Sequence, residues 1–364
     1  MSQVAVIFGG PSPEHDVSIL LGLPASRALA EAGHDVAGIY WAKTGDFYAV
    51  DAAAEKEDFY DGPPKKARDL VLTTKGFDGK KAPRPDVVVN CCHGGPGEDG
   101  SLQAALDLAG IPYTGPTVAG AALGMDKLAF GALVEAAGLP TLPRALVTPV
   151  DDGAPPFAGP YIVKPRFGGS SIGIEIVKEW TDARALLHSV HYRAGAVAEP
   201  YRPDTVDLNI GLRSWPELQL SAIEKPLRSS GRGEILGYAD KYLVGGGGEG
   251  MSSANKELPA AIPSEIEKQL RAAATTLAPL VGLRGVARLD FLYDGADGGL
   301  FVNEINTIPG SMAKYLWIEP PIPFGRLLGD MIEEAVRRPS TNWTTAGADG
   351  TALRSAGSIA SKLG

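Results

Sequence analysis

The sequence predicts a multidomain α/β and α+β protein whose N-terminal part is an open parallel α/β sheet domain. Three observations carry that expectation. Short apolar runs alternate with helix-period stretches through the first third of the chain. Strand-like segments separated by glycine turns dominate after Pro200. The 364 residues suffice for two or three domains of roughly 100–150 residues each.

The elements follow in order. Val4-Ala5-Val6-Ile7-Phe8 reads as a buried strand stopped by Gly9-Gly10-Pro11. A helical pattern over about 17–32 ends at Gly33, and Val36 to Tyr40 is a second strand. Asp86 to Asn90 is a third, followed by a helix from Ser101 to Ala109 and a short strand at Ile111-Pro112-Tyr113. This rhythm places ligand groups at the carboxyl ends of the strands. Helices around 118–124 and 126–137 open a second region, closed by Gly138-Leu139-Pro140. Strands Tyr161 to Lys164 and Ile174 to Val177 then flank a glycine-rich turn. The third region holds strands Leu208–Leu212, Gln219–Glu224, Val286–Tyr293 and Leu300–Asn306. Helices at about 264–280 and 324–337 accompany them. The expected division is 1–115, 116–199 and 200–338, with a mobile tail over 339–364.

Composition bounds the function. Lys+Arg 34 against Asp+Glu 43 gives a net charge of -9, which argues against a broad nucleic-acid surface. No apolar run is long enough to span a bilayer, and no signal segment opens the chain, so no membrane partner is expected. The only cysteines, Cys91 and Cys92, are adjacent and point to opposite strand faces, so a bridge between them is not expected. A soluble, reducing, cytoplasmic setting follows, with the thiols structural.

The strongest chemical pattern is a hairpin. Arg288-Leu289-Asp290-Phe291-Leu292 leads to a turn at 294–299 and returns as Phe301-Val302-Asn303-Glu304-Ile305-Asn306. Period-two alternation puts Arg288, Asp290, Leu292, Val302, Glu304 and Asn306 on one face. If Leu292 pairs with Val302, Asp290 lies opposite Glu304 and Arg288 opposite Asn306. Facing carboxylates repel unless a cation lies between them, and three oxygen-bearing side chains suit Mg²⁺. A solvated polar sheet face is the alternative.

Weaker patterns surround it. Lys164 precedes Gly168-Gly169-Ser170-Ser171-Ile172-Gly173, a loop whose backbone N–H groups and hydroxyls could hold an anion. It lacks the G-K-[ST] ending of a Walker loop and could equally be a flexible turn. Glu14-His15-Asp16-Val17-Ser18 follows the first strand and is no dinucleotide fingerprint. His93 and Glu98 follow the third strand, so Glu14, His93 and Glu98 are expected to meet in one crevice. His34, His188 and His191 read as surface positions without a role. Asp240-Lys241-Tyr242 precedes a glycine run that reads as a lid near 240–255, or as a floppy loop.

Together these residues resemble the D-alanine–D-alanine ligase family of ATP-grasp enzymes, over nearly the whole chain to about residue 338. The resemblance rests on Glu14 to Ser18, His93 to Gly100, Met125-Asp126-Lys127, Lys164 with Gly169 to Gly173, Lys241-Tyr242, Arg288-Leu289-Asp290, and Asn303 to Thr307 with Pro309-Gly310. It implies an ATP-grasp fold with ATP between the second and third domains. Lys127, Lys164 and Lys241 are implied at the phosphates, and Ser171 among the ATP-binding residues. Glu199 is implied at the adenine, with Ile162, Ile174, Tyr201 and Leu292 walling the base. Asp207 is implied at the ribose, where the family usually has Glu. Asp290, Glu304 and Asn306 match the Mg²⁺ ligands, with Mn²⁺ as a substitute ion. Glu14, Ser170 and Tyr242 match a set joining lid to substrate crevice. Arg288 and the Gly310 N–H match the oxyanion donors, and His93 and Glu98 the substrate side.

The implied activity joins D-alanine, or a similar small amino acid, to a second amino acid through an acyl phosphate. That reaction belongs to cell-wall peptidoglycan synthesis. Its partners are small amino-acid substrates, and a homodimer is an open option. A related ligase of specialised metabolism with another acceptor, and a non-catalytic nucleotide-binding module, are the alternatives. One departure bears on the acceptor. The family usually carries a threonine two residues, and an acceptor-site serine five residues, beyond the glycine matching Gly310; here Met312 and Tyr315 stand there. Lys314 could bind an acceptor carboxylate or be solvated.

Overall fold

The structure is a computed structural model that describes residues 2–150, 153–227, 256–341, 343–358 and 362. Lys241, Tyr242 and the lid expected near 240–255 therefore lie outside the described residues. The described strands form three sheets.

The first sheet holds β1 (Gln3–Gly9), β2 (Asp35–Trp41), β3 (Phe47–Val50), β4 (Arg68–Thr73), β5 (Gly76–Asp78) and β6 (Val87–Asn90), in the order β5-β4-β3-β2-β1-β6. β1 pairs in parallel with β2 and β6, and β2 through β5 continue as an antiparallel meander. The expected all-parallel sheet is thus a mixed one. The βαβ rhythm is real for three strands. β2–β3 and β4–β5 are joined by links of a few residues, too short for a crossover, and the longer 51–67 segment, which holds only the short 3-10 turn Lys56–Phe59, also returns β4 antiparallel beside β3.

Both faces of this sheet are covered, which explains the unbroken apolar β1. Helix His15–Glu31, helix Phe324–Arg337 and the turn Gly310–Leu316 pack on one face, with Phe8, Leu29, Met312, Leu316 and Leu328 among the buried contacts. Helix Ser101–Leu108 supplies Leu102 and Leu106 to the other, against Ile7, Ile39 and Val88. Cys91 belongs to the first cluster and Cys92 to the second. Both are free buried thiols whose pKa burial pushes up.

The second sheet is antiparallel, in the order β7 (Ala145–Val147), β10 (Ala196–Pro200), β8 (Tyr161–Pro165), β9 (Glu175–Val177). Tyr161, Val163, Ala196 and Ala198 form its core face under Ala183 of helix Trp180–Ala185. By strand alternation Ile162, Lys164 and Glu199 occupy the other face.

The third sheet is also antiparallel. It holds β11 (Thr205–Arg213), β12 (Gln219–Pro226), β13 (Lys256–Glu257), β14 (Val286–Asp294) and β15 (Leu300–Asn306), in the order β13-β12-β11-β14-β15. Helix Ser264–Leu280 covers it. Its buried Ile266, Leu270, Ala273, Ala274, Leu277 and Ala278 recur at helical spacing, and Glu265 and Glu267 favour its N-terminus.

The β14–β15 register corrects one expectation. Arg288 faces Asn306 and Asp290 faces Glu304, but Leu292 pairs with Phe301 and Phe291 with Val302. Asn303 is the extra residue of a β-bulge. One inserted residue reverses the alternation, so Val302 lies in the core with Phe291 rather than beside Asp290.

Candidate active site

One cleft gathers residues from all three sheets. Its walls include Glu14, His93, Glu98, Met125, Lys127, Gly168 to Ser170, Arg288, Glu304, Asn306, Ile308 and Gly310. The first sheet contributes through the loops after β1 and β6. Glu14 stands at the N-terminus of helix His15–Glu31. The rest of its motif pins the loop. Ser18 Oγ accepts from the Gly9 N–H at 2.7 Å and donates to the Cys91 carbonyl at 2.8 Å. His15 Nδ1 must donate to the Gly10 carbonyl, 2.7 Å away, because a carbonyl only accepts.

The glycine-rich loop reaches into the same cleft. Ser170 and Ser171 sit at φ +53° and +58°, the left-handed region that ordinary residues rarely adopt. That conformation brings the Ser170 hydroxyl onto Glu14, to which it donates a hydrogen bond. Lys127 begins helix Lys127–Ala136, capped by Asp126, and its ammonium donates to the Gly168 carbonyl. Burial lowers the pKa of Lys127, and Glu304 opposes the shift.

Glu98 ties two distant loops together. Its carboxylate accepts from the Gly94 N–H at 2.9 Å, the Ile308 N–H at 3.0 Å and Thr307 Oγ1 at 3.3 Å. Burial and the Glu14 charge nevertheless outweigh these donors and push its pKa up to about 7. His93 is buried, desolvation lowers its pKa, and its Nε2 has no hydrogen-bond partner among the described residues.

On the third sheet, Arg288 forks onto Asp290 with two contacts of 2.6 Å. Burial opposes the charge, but Asp290 outweighs it and raises the Arg288 pKa further. Asn306 Nδ2 donates to Asp290 at 3.0 Å. Asp290, Glu304 and Asn306 offer only oxygen atoms to a cation, the set a hard ion prefers.

The open faces of the second and third sheets turn toward each other. Lys164 bridges them, donating to Glu199 at 2.8 Å and to Asn303 Oδ1 at 3.2 Å. The bulge at Asn303 makes this bridge, since a regular strand would aim that side chain at the core. Glu199 is almost fully buried. Burial raises its pKa, but Lys164 and Arg144 outweigh it and hold the carboxylate below its ordinary value. Ile162, opposite Glu199, is half-buried, as are Ser171, Ile174, Tyr201, Asp207 and Leu292. Asp207 pairs with Leu292 across β11 and β14.

Two expected acceptor residues lie outside the cleft lining. Lys314 stacks over the Phe324 ring at 4.8 Å. Tyr315 directs its hydroxyl to Glu224 at 3.3 Å.

Sequence reasoning missed Arg144. It is an ion-pair partner of Glu199 at 3.0 Å and donates to the carbonyls of Lys127 and Asn303. A lone arginine after a proline gives no local signal; only its buried position between three segments does.

The family described as D-ala D-ala ligase N-terminus matches residues 3–116, and that described as D-ala D-ala ligase C-terminus matches 133–333. A D-alanine–D-alanine ligase of Acidiphilium cryptum is 34% identical, covering 93% of this chain and 100% of that protein. One of Mycobacterium sp. (strain KMS) is 30% identical, covering 93% of this chain and 97% of that protein. The VanG D-Ala:D-Ser ligase of Enterococcus faecalis superposes with a TM-score of 0.75 at 27% identity, over 92% of this chain and 99% of that chain. The Coxiella burnetii D-alanine–D-alanine ligase, at TM-score 0.73 and 23% identity over 92% and 94%, shares the fold. Both halves match the same enzymes: the chain belongs to the D-alanine–D-alanine ligase family, ligases that form a carbon–nitrogen bond.

Proposed function

We propose that this chain joins D-alanine to a second small D-amino acid, D-alanine first among them, at the expense of ATP and through an acyl phosphate. The observation that carries this reading is the meeting of Glu14, Ser170, Lys127, Arg288, Glu304, Asn306 and Gly310 around one cleft, in a chain of this family.

The first substrate's carboxylate attacks the γ-phosphate, the bond to the β-phosphate oxygen breaks, and ADP is the leaving group. Lys127, Lys164 and Lys241 offset the phosphate charge, Ser171 adds to the ATP contacts, and the Lys164–Glu199 bridge orients the nucleotide end. Ile162, Ile174, Tyr201 and Leu292 wall the base, and Asp207 holds the ribose. Asp290, Glu304 and Asn306 would hold Mg²⁺, or Mn²⁺, which when bound supplies further charge neutralisation. Glu14 receives the first substrate's ammonium while bonded to Ser170, beside His93 and Glu98. The second substrate's neutral amine then attacks the acyl carbonyl, and the tetrahedral adduct loses a proton and expels phosphate to leave the peptide bond. Arg288 and the Gly310 N–H donate to the oxygen that gains charge, a contribution of about 3 kcal/mol per donor in comparable sites. Low water access to this buried region protects the acyl phosphate. A cytoplasmic setting and a part in peptidoglycan synthesis belong to the same proposal.

A different acceptor is the second reading. Met312 and Tyr315 favour it, since the family's usual threonine and serine are absent there. A non-catalytic module is disfavoured because Arg288, Asp290, Glu304 and Asn306 are all present.

The test is a phosphate-release screen over D- and L-amino-acid pairs, with product masses measured, on wild type and Arg288→Ala. Wild type is expected to give a D-alanyl dipeptide. Arg288→Ala should bind ATP nearly normally but ligate at least about a hundredfold more slowly. Unchanged turnover in the variant, or no ADP with any pair, sinks the assignment.

A further inference from the structure

A row of polar residues crosses four strands of the third sheet. Glu224 on β12 faces Asn209 on β11, Asn209 faces Asp290 on β14, and Asp290 faces Glu304 on β15. The Asp290–Glu304 end is the cation-binding end proposed above. The Glu224 end has no part in that mechanism, yet it is a buried acid, 3% exposed. Burying a carboxylate costs several kcal/mol unless partners compensate, so a retained one calls for an explanation.

Its partners converge from three segments. Asn209 Nδ2 donates to Glu224 Oε2 at 3.1 Å, and the Tyr315 hydroxyl donates to the same oxygen at 3.3 Å. Lys256 Nζ lies 4.0 Å from Oε1 and sits over the Tyr315 ring, 4.2 Å from its centre. The turn that carries Tyr315 packs against both β14, the strand of Arg288, and β12, the strand of Glu224, and both side chains bear on the Arg288 charge. The guanidinium therefore has neighbours on two sides. Asp290 grips one side as a fork, and the Tyr315 phenol, itself held by Glu224, meets another.

Tyr315 reaches this place through an unusual turn. Ser311, Met312 and Ala313 all adopt φ near +50°, a left-handed run that costs ordinary residues roughly 1–2 kcal/mol each. Burial of Met312, Ala313 and Leu316 against the first sheet holds the turn in place. The turn begins at Gly310, so one segment carries an oxyanion donor and a neighbour of the other donor.

We propose that Tyr315 and Glu224 form a positioning pair that aims Arg288 at the acyl carbonyl, coupling ATP consumption to peptide-bond formation. This rests on the role proposed for Arg288. Asp290 fixes Arg288 from its own strand; the pair bears on it from the turn that begins at Gly310. The pair acts on the second half of the reaction only. Acyl-phosphate formation does not need it.

The test is the molar ratio of ADP to dipeptide, measured with Kd for ATP and melting temperature, in wild type, Tyr315→Phe, Glu224→Gln, Glu224→Ala and the Tyr315→Phe/Glu224→Ala double variant. Tyr315→Phe keeps the ring under Lys256 and removes only the hydroxyl. It should slow dipeptide formation about 10–100-fold, the range for a lost hydrogen bond to a charged group. ATP affinity should stay within about twofold, and the ADP-to-dipeptide ratio should rise above that of wild type as the acyl phosphate is lost to water. Glu224→Gln still accepts from Tyr315 and should recover most of the coupling that Glu224→Ala loses. The double variant should be no worse than Glu224→Ala, because both changes break one relay. Additive losses, or ADP and dipeptide falling in step with the melting temperature, overturn the pair's role and assign it to stability. A wild-type ratio in Tyr315→Phe overturns it too. Failure of the proposed activity looks different: wild type itself would then form no dipeptide.

Discussion

Glu98→Gln tests a side chain that pins the loop after β6 to the turn after β15. The wild-type carboxylate accepts from Gly94, Ile308 and Thr307, two of these on one oxygen. Glutamine keeps a single carbonyl oxygen, which can serve Ile308 and Thr307. Its amide group then confronts the Gly94 N–H, donor against donor. An orphaned buried N–H costs about 1–3 kcal/mol.

The charge moves the other way with pH. Burial and Glu14 raise the Glu98 pKa from 4.5 to about 7. Below pH 4.5 the carboxyl is protonated in folded and unfolded chains alike. Between pH 4.5 and about 7 only the folded chain keeps the proton, so its contribution to stability falls as pH rises through that window. At 1.36 kcal/mol per unit the total is roughly 3 kcal/mol. Glutamine does not titrate. The variant should therefore be less stable than wild type by about 1–3 kcal/mol near pH 4.5. It should draw level or pass it by about pH 8. Urea unfolding of both proteins at several pH values reads this directly. Curves separated by the same free energy from pH 4.5 to 8 would refute the reasoning, because the carboxyl would then be ionised throughout.

Two further outcomes follow from packing. Arg144→Met leaves Glu199 paired with Lys164 alone and frees the Lys127 and Asn303 carbonyls, so stability should drop by about 3 kcal/mol. Thermal unfolding with and without ATP measures it, and an unchanged melting temperature and ATP shift would contradict the bridging role. Gly97→Ala would set a Cβ 2.2 Å from Cys92 Cβ, next to a carbonyl that accepts from Asn90 and Gln103. A loss of about 1–3 kcal/mol is expected by chemical denaturation, and a neutral result would show that the loop yields freely.

Much of the site is readable from local pattern. The two facing acids of β14 and β15 follow from period-two alternation, and Arg288 opposite Asn306 from the same count. The pattern was right on the near side of Asn303 and wrong beyond it, because a bulge has no dependable signature in one strand's composition. The glycine-rich loop could be placed but not shaped. Only the structure puts Ser170 in the left-handed region and its hydroxyl on Glu14. The meander of β3 to β5 is hard to read locally because its strands have only four, six and three residues, too few to show a period.

The sequence by itself determined the helices and strands whose burial repeats along the chain. Helix Ser264–Leu280 and helix Phe324–Arg337 stand where the 3.6-residue period puts them. It also determined which residue types reach the strand ends, and so the class of chemistry. The tertiary structure alone decided how those ends meet. Arg144 between three segments, Glu98 across two loops and Glu224 behind Tyr315 are contacts between residues far apart in the chain. Local periodicity reports which face a side chain occupies; it holds no information about what lies opposite, because that depends on register and on the packing of one sheet against another.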